Sequence, residues 1–213
     1  MNMKIGVVMF YDDNVKMYGD INYKINKKYC EKYNLTLIVS NKKKYTNRQP
    51  SWEKLPLLLD NISNFDYIIW IDADAFFYYD ANNITNIIND NLSANFIFSK
   101  DIGNNRINCG FFIIKNTDYS IKFLKKWAYD ELLYKKFKDH PWWEQAALVN
   151  LWHNNILNIK ENSIRINYGI LQHFRKNDKL IGTYVYHLAG TSKKIRYKTS
   201  QDYLNKLIVK SAA

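Results

Sequence analysis

The sequence contains few of the residues that cross-link or interrupt a chain. Its 213 residues include 2 cysteines, 3 prolines and 7 glycines. Two cysteines cannot form the disulfide framework of a small secreted domain, so we expect Cys30 and Cys109 to be reduced, buried thiols. No Gly-x-Gly-x-x-Gly motif follows the first apolar run, which leaves a dinucleotide site of that kind without support. No stretch has the features of a membrane span or a signal peptide.

Positive charge and aromatic residues, by contrast, are abundant. Lys and Arg total 31 against 20 Asp and Glu, a net charge of +11, and hydrophobic residues make up 47% of the chain. Such an apolar composition excludes a disordered protein, and the length suits one domain with a sizeable core. The excess of positive charge favours anionic partners, including phosphorylated substrates, although we expect much of it to be a solvated surface.

Strand-like and helix-like patterns alternate along the sequence. Strands are predicted at 5–10, 35–39, 67–71, 96–99, 109–114, 164–166, 171–174 and 184–188. Helices are predicted at 18–33, from Pro50 to about 62, at 83–89, after Thr117 (one long helix with Leu132 and Leu133 on its inner face), after Pro141 and at 203–209. This order predicts one α/β domain over residues 1–213, with a basic helical tail from about 197.

The segment 65–78 is the most informative part of the sequence. Residues 67–71 show no polar alternation, which is typical of a strand buried on both faces, and the acids Asp72 and Asp74 follow directly. Carboxylates at i and i+2 of an extended chain point to the same side. The carboxyl ends of strands in open α/β sheets border the ligand crevice. The two acids could therefore share a hard divalent cation with phosphate and water oxygens.

A later segment, 187–194, could complete such a cation site. His187 could be a third ligand, whose nitrogen would favour manganese over magnesium, or an ordinary structural histidine. Gly190 would let the backbone approach a phosphate, and Lys193 or Lys194 could supply the counter-charge. The combination of histidine, glycine and lysine makes the functional interpretation about as strong as the structural one.

Two further segments carry polar or aromatic residues of interest. The segment 108–110 (Asn-Cys-Gly) could present polar groups to a sugar, or could merely open a buried strand. Glu144 and Gln145 begin a helix, where they could orient an anion or a hydroxyl, or Glu144 could simply be a first-turn acid that complements the helix dipole. Trp142 and Trp143 could form a stacking wall for an acceptor sugar, although aromatic residues more often pack in a core.

Five motifs occur in an order that resembles a known family of enzymes. They are Trp52-x-Lys54-x-Pro56, Asp72-x-Asp74, Asn108-x-Gly110-x-Phe112, Glu144-Gln145 and His187-x-x-Gly190. The series resembles GT-A glycosyltransferases, above all the family of plant xyloglucan xylosyltransferases and yeast α-galactosyl- and α-mannosyltransferases. The spacing from His187 through Gly190 to Lys193 is closer to the glycogenin and lipooligosaccharide galactosyltransferase family. The likeness runs from about residue 5 to about 196.

The resemblance implies a role for each matching residue. The implied metal ligands are Asp72, Asp74 and His187, with Mn²⁺ or Mg²⁺ as the cofactor. The implied donor contacts are Phe10 and Tyr11 for the nucleobase and ribose, Lys54 and Lys193 for the diphosphate, Asn108 for the sugar, and also Ala73, Gly110 and Gly190. The implied catalytic residues are Gln145, near the anomeric carbon, and Glu144. This sequence departs from the families at Glu144, where they usually have Asp, and at Thr191-Ser192 after Gly190.

The resemblance implies an enzyme that transfers a hexose or pentose from a nucleotide sugar to a sugar or glycan acceptor. The nucleotide is expected to be UDP, and the configuration of the transferred sugar is expected to be retained. The expected fold is a single-domain, Rossmann-like GT-A fold with a mostly parallel central sheet. Front-face attack, with the leaving phosphate accepting the acceptor's proton, is preferred over Glu144 as a covalent nucleophile. We expect no nucleic-acid partner, a cytoplasmic location in a bacterium or virus, and peripheral contact of the basic C-terminal region with anionic membranes.

Two other classes of protein remain open on the sequence alone. A strand ending in Asp-x-Asp also occurs in haloacid-dehalogenase-type phosphatases, with Asp72 as the nucleophile, although their acid usually follows the first strand. A non-enzymatic basic module that binds polyanions would use the lysines at 42–44 and the basic stretch 193–198. That interpretation leaves the two acids without a purpose.

Overall fold

The computed structural model describes residues 3–102, 106–175, 177 and 179–212. Within these residues, the strands are β1 (Ile5–Phe10), β2 (Thr36–Ser40), β3 (Tyr67–Ile71), β4 (Ala75–Phe77), β5 (Phe96–Lys100), β6 (Ile107–Lys115), β7 (Ser163–Ile166), β8 (Gln172–His173) and β9 (Val185–His187). The α-helices are α1 (Lys16–Lys32), α2 (Lys54–Asn61), α3 (Thr85–Asn89), α4 (Asp118–Tyr129), α5 (Glu131–Phe137), α6 (Trp143–His153) and α7 (Lys193–Ala212). Short 3-10 helices occupy Pro50–Glu53, Ile62–Asn64 and Ile156–Asn158.

Six strands form the central sheet in the order β2-β1-β3-β6-β5-β7. Strand β6 is antiparallel to both of its neighbours, and the other pairings are parallel. The predicted α/β fold with a mostly parallel central sheet is therefore confirmed. None of the helices in the described part of the chain has both the length and the apolarity that crossing a bilayer requires.

Both faces of the sheet are covered, as the absence of polar alternation predicts. Successive residues of β1 belong to different cores: Val7 packs with residues of α1 and α7, and Val8 with residues of α2, α4 and α6. All five residues of β3 are buried. Because a pleated strand directs alternate side chains to opposite faces, a central strand between two helical layers must be apolar throughout.

A second, three-stranded sheet has the order β4-β9-β8. Strand β4 was not predicted as a separate element, because its three apolar residues continue the pattern of β3 beyond the two acids. In the structure the chain turns at those acids, and the Ala75 N–H donates to the Asp72 carbonyl (3.0 Å). Strand β4 then pairs antiparallel with β9 instead of extending the central sheet.

Two helical predictions are wrong in detail. The long helix expected after Thr117 is two helices, because the chain leaves helical geometry at Asp130, whose side chain caps α5. Leu132, expected on the inner face, is 79% exposed. Helix α7 begins at Lys193, ten residues before the apolar stretch predicted at 203–209 and a few residues before the helical tail predicted from about 197. Cys30 and Cys109 are free and buried, as predicted.

Candidate functional site

The two acids and the histidine are brought together by backbone pairing. Asp72 and Asp74 lie in the turn between β3 and β4, and the Asp72 N–H donates to the Gly110 carbonyl of β6 (2.8 Å). Pairing of β4 with β9 sets Ala75 opposite His187. The Leu188 N–H donates to the Asp74 carbonyl (2.8 Å). A strand distant in the sequence therefore places its imidazole beside the carboxylates.

The three side chains form a compact cluster. The Nε2 atom of His187 lies 3.3 Å from Oδ1 of Asp74 and 3.8 Å from Oδ2 of Asp72. One ligand atom from each residue lies within 4.8 Å of the others. The Asp72 carboxylate is the most accessible of the three, with 30% of its side chain exposed. Two carboxylate oxygens and one imidazole nitrogen suit a divalent cation such as Mn²⁺.

Hydrogen bonds orient the imidazole of His187 so that Nε2, and not Nδ1, faces the acids. The Gly110 N–H donates to Oδ1 of Asn108 (2.9 Å), so this oxygen is an acceptor. It also accepts from Nε2 of Gln172 (3.0 Å), which turns the amide oxygen of Gln172 towards Nδ1 of His187 (2.9 Å). Nδ1 therefore carries a proton, and Nε2 is the ring nitrogen that faces the acids and could bind a cation. The residues present fit a bound cation.

Gly110 is required by the close approach of His187 to strand β6. A Cβ atom at position 110 would overlap the imidazole ring, lying 2.6 Å from its Nδ1. The glycine of the Asn-x-Gly motif therefore leaves space for a side chain from another sheet. Asn108, in the same motif, is buried and bonded to Gln172 and Gly110.

Lys54 lies behind the acids, with 1% of its side chain exposed. Its ammonium is 2.8 Å from Oε1 of Glu144 and 3.3 Å from Oδ1 of Asp72, and it donates to the Cys109 carbonyl (3.1 Å). Burial alone would lower the pKa of Lys54, but the neighbouring acidic groups hold that pKa well above its usual value. In this position Lys54 orients Asp72 and Glu144, and Asp72 lies between it and the cleft.

The two carboxyl groups of the cluster differ in their electrostatics. For Asp72, burial raises the pKa more than Lys54 and His187 lower it. For Asp74, the opposing effects of His187 and Arg196 outweigh burial and lower the pKa to about 2. Asp74 is therefore ionised across the ordinary pH range, as a metal ligand must be.

Arg196 is a member of the site that sequence reasoning missed. On α7, its Nη2 lies 3.0 Å from Oδ2 of Asp74, and its Nη1 donates to the Tyr18 hydroxyl (3.0 Å). Lys193 is exposed at the start of the same helix and does not line the cleft. Arg196 lies within the basic stretch 193–198, about one helical turn after Lys193. The sequence therefore located a basic residue near the cleft but assigned the role to the wrong position.

A cleft of about 560 Å³ opens over the cluster. Its lining includes Asp72, Asp74, Asn108, Trp142, Trp143, Gln145, His187, Gly190 and Arg196. An adjoining pocket of about 260 Å³ is lined by Phe10, Tyr11, Asp12, Tyr18 and Ala73. The two acids, Trp143 and Arg196 line both spaces, so the cluster lies at their junction.

The consecutive residues Glu144 and Gln145 both line the cleft but make different contacts. Glu144 is 5% exposed and paired with Lys54. Gln145 lines the cleft, but its amide oxygen accepts from the Cys109 N–H (3.0 Å). The predicted interaction of that oxygen with a sugar would therefore use its second lone pair.

Solved structures with the same architecture are glycosyltransferases. A glycosyltransferase involved in glycosylation of the major capsid of PBCV-1 matches with a TM-score of 0.71 and 12% identity, over 93% of this chain and 99% of that one. The galactosyltransferase LgtC, in complex with donor and acceptor sugar analogues, matches with a TM-score of 0.58 and 14% identity, over 94% of this chain and 95% of that one. The glycosyltransferase GlyE of Streptococcus pneumoniae TIGR4 matches with a TM-score of 0.59 and 12% identity, over 99% of this chain and 64% of that one. The protein therefore has the GT-A fold, as the sequence resemblance implies.

The sequence itself matches one family model. Residues 26–187 match the family described as "Protein of unknown function, DUF273", and the chain belongs to this family. No curated protein matches the sequence. The matched region contains β3, both acids and His187, but not Arg196.

Proposed function

We propose that this protein is a metal-dependent glycosyltransferase that moves a hexose or pentose from a nucleotide sugar to a sugar or glycan hydroxyl. The observation that carries the proposal is the cluster of Asp72, Asp74 and His187 in the lining of a large cleft in a GT-A fold. The neighbour LgtC was crystallised with donor and acceptor sugar analogues, which supports both ligand classes. UDP is the expected nucleotide.

The two spaces of the cleft suggest how a donor would lie. The smaller pocket, beside Phe10 and Tyr11 at the carboxyl end of β1, suits a nucleoside. The cluster at the junction would then lie near the diphosphate, and the larger space would hold the transferred sugar. When bound by Asp72, Asp74 and His187, a divalent cation supplies positive charge against the negative charge that develops on the leaving diphosphate.

The proposed reaction is front-face substitution with retention. The bond between the anomeric carbon and the diphosphate oxygen breaks, and its electron pair goes to the phosphate. The acceptor oxygen bonds to the same face of that carbon, and its proton passes to the departing phosphate. Gln145 lines the space where this carbon would lie and orients it. The pairing of Glu144 with Lys54 favours this route over a glycosyl–enzyme ester on Glu144.

Two exposed tryptophans suit the acceptor. Trp142 and Trp143 are 42% and 37% exposed on the wall of the larger cleft. Arg106 lies over the Trp142 ring at 4.4 Å. Trp143 has a φ of 35°, which a bulky residue adopts only when its surroundings hold it there. An aromatic wall at this place could stack against the apolar face of an acceptor sugar.

A screen of nucleotide sugars tests the proposed function. Purified protein is mixed with UDP-, GDP-, ADP- and CDP-sugars, with and without MnCl₂, and both melting temperature and donor hydrolysis are measured. A true donor should raise the melting temperature in a concentration-dependent way only when the metal is present. Asp74→Asn should fold but lose this stabilisation. Equal stabilisation and hydrolysis by Asp74→Asn and the wild type would contradict the proposal, as would release of phosphate from simple phosphomonoesters alone.

A further inference from the structure

Arg196 is a positively charged residue of the cleft that the proposed reaction does not yet use. Its guanidinium lines both the nucleoside pocket and the larger space. Nη2 lies 3.0 Å from Asp74, and Nη1 donates to Tyr18. Nε is buried and has no acceptor among the described residues. An unpaired, buried guanidinium N–H is costly, so the contacts of Arg196 within the described residues leave part of its hydrogen-bonding capacity unused.

The carboxylate of Asp74 has one oxygen for each of two positive groups. Oδ1 lies on the His187 side, 3.3 Å from Nε2, where it could bind a cation together with that nitrogen. Oδ2 faces Arg196. Arg196 and a cation held by the cluster can therefore share Asp74 without competing for the same oxygen.

Two positive groups on one carboxylate repel each other strongly at short range. A diphosphate relieves this repulsion, because its two phosphate groups can face one positive group each. Guanidinium suits the task better than ammonium, since its planar donors match a phosphate group in a bidentate way.

We propose that Arg196 and the cation bound at Asp74 together form a two-cation clamp for the donor's diphosphate, in which Arg196 replaces the lysine expected at position 193. The inference rests on the proposed function, and it names the residue that recognises the leaving group. The position of Arg196 at the junction of the two spaces supports it, because a diphosphate joins the nucleoside to the sugar.

The clamp predicts that one substitution changes the affinity for Mn²⁺ and the affinity for a nucleoside diphosphate in different ways. Removing the guanidinium takes away a like charge beside the metal ligands, so Arg196→Ala should bind Mn²⁺ alone at least as tightly as the wild type. The same variant should bind a nucleoside diphosphate in the presence of Mn²⁺ about ten- to a hundredfold more weakly, the loss typical of a hydrogen bond to a charged group. A residue that merely supports the fold would weaken both.

Isothermal titration measures both affinities for the wild type, Arg196→Ala, Arg196→Lys and Lys198→Ala. The probes are Mn²⁺ alone, and then UDP, GDP, ADP and CDP with saturating Mn²⁺, with the corresponding monophosphates for comparison. Lys198→Ala removes one exposed charge from the same helix and should bind diphosphates as the wild type does. Arg196→Lys should recover part of the lost affinity, and melting temperatures establish that each variant is folded.

The outcomes separate this inference from the function on which it rests. A wild type that binds no nucleoside diphosphate with Mn²⁺ would overturn both. A wild type that binds one, with unchanged affinity in Arg196→Ala, would overturn only the clamp. Weaker binding of Mn²⁺ alone by a folded Arg196→Ala would also overturn it, because Arg196 would then support the metal ligands instead of the diphosphate.

Discussion

Two consecutive residues at the start of α6 line the cleft but differ in burial and in their contacts. Glu144 is 5% exposed, and Lys54 neutralises one of its carboxylate oxygens at 2.8 Å. Its other oxygen, Oε2, has no hydrogen-bond partner among the described residues. Gln145 points to the cleft. We therefore expect Glu144 to contribute mainly to stability and Gln145 mainly to turnover.

Glu144→Gln should destabilise the fold. The change leaves the buried ammonium of Lys54 with Asp72 as its remaining carboxylate partner, and breaking a buried ion pair from one side costs about 3 kcal/mol. Chemical denaturation measures this loss in the free energy of unfolding. Glu31→Gln, which removes half of the exposed pair with Lys27, is the matched control and should cost no more than about 0.5 kcal/mol. Equal stability of the two variants would contradict the structural role of Glu144.

Gln145→Ala should lower turnover by roughly one to three powers of ten, the range of a lost electrostatic group in an active site. Donor affinity should change little, because the interaction strengthens mainly in the transition state. Steady-state kinetics and donor titration measure the two quantities. Intact-mass spectrometry of the wild type with donor alone should show no sugar adduct; an adduct on Glu144 would replace front-face attack with a covalent mechanism.

At the scale of single elements, the break between α4 and α5 depends on Asp130. Its carboxylate accepts from the N–H groups of Leu132 and Leu133 (2.9 and 3.0 Å) and pairs with Lys126 (2.6 Å). The hydrogen bond from Lys126, followed by those from the backbone, lowers the pKa of Asp130. The apolar spacing at 121–133 indicated one long helix, because it carries no information on where a capping side chain interrupts it.

Asp130→Ala should destabilise the protein by about 1 kcal/mol at pH 7, the usual cost of a lost N-cap. Because the pKa of Asp130 is lower in the folded state, its ionic contribution is present above the unfolded-state pKa of about 3.9. That contribution is lost as the pH falls through the lower folded-state pKa. The difference in unfolding free energy from the wild type should therefore shrink on acidification. Asp130→Asn keeps a neutral acceptor, so the difference in unfolding free energy between Asp130→Asn and Asp130→Ala should not vary with pH. A difference between the wild type and Asp130→Ala that grows on acidification would contradict the capping role.

Elements with strong local patterns were predicted, and those defined by distant contacts were not. Strands β1, β3 and β6 are long apolar runs, so their positions follow from the sequence. Strand β4 has three residues and exists because it pairs with β9. No local signal distinguishes it from a continuation of β3.

At the scale of the whole molecule, the two cysteines report on the integrity of both core layers. Cys30 belongs to the core that contains α1 and α7, and Cys109 to the core that contains α2, α4 and α6. Burial raises the pKa of Cys30 to about 12 and that of Cys109 well above its usual value. Both thiols are therefore protonated and shielded at pH 8.

Iodoacetamide at pH 8 should label neither cysteine in the folded protein, and both should react once denaturant unfolds it. Mass spectrometry of digested samples measures labelling at each site. A cysteine introduced at the exposed position Ser93 (Ser93→Cys) is the control and should react within the normal time for a free thiol. Labelling of Cys109 well before Cys30 would show that the layer containing Lys54 opens separately from the rest.

The sequence predicted which residues form the candidate cluster more completely than it predicted how the surrounding residues are arranged. Asp72, Asp74 and His187 form the cluster that motif order implied. The burial of Lys54 and the position of Arg196 depend on how α2 and α7 pack against the sheet, which residue spacing alone does not define. The antiparallel direction of β6 was likewise not predicted, since it follows from the order of strands in the finished sheet.

The pairing of β4 with β9 has a consequence during protein synthesis. Translation delivers both acids long before residues 185–187 leave the ribosome, so a nascent chain carries the acids of the cluster without His187. Until β9 arrives, Phe76 and Phe77 of β4, fully buried in the folded protein, lack their pairing strand. Such transiently exposed apolar strands are typical targets of chaperones and starting points of aggregation. Chains that stop before residue 187 should therefore be degraded or should aggregate. They should not accumulate as species that bind a cation weakly.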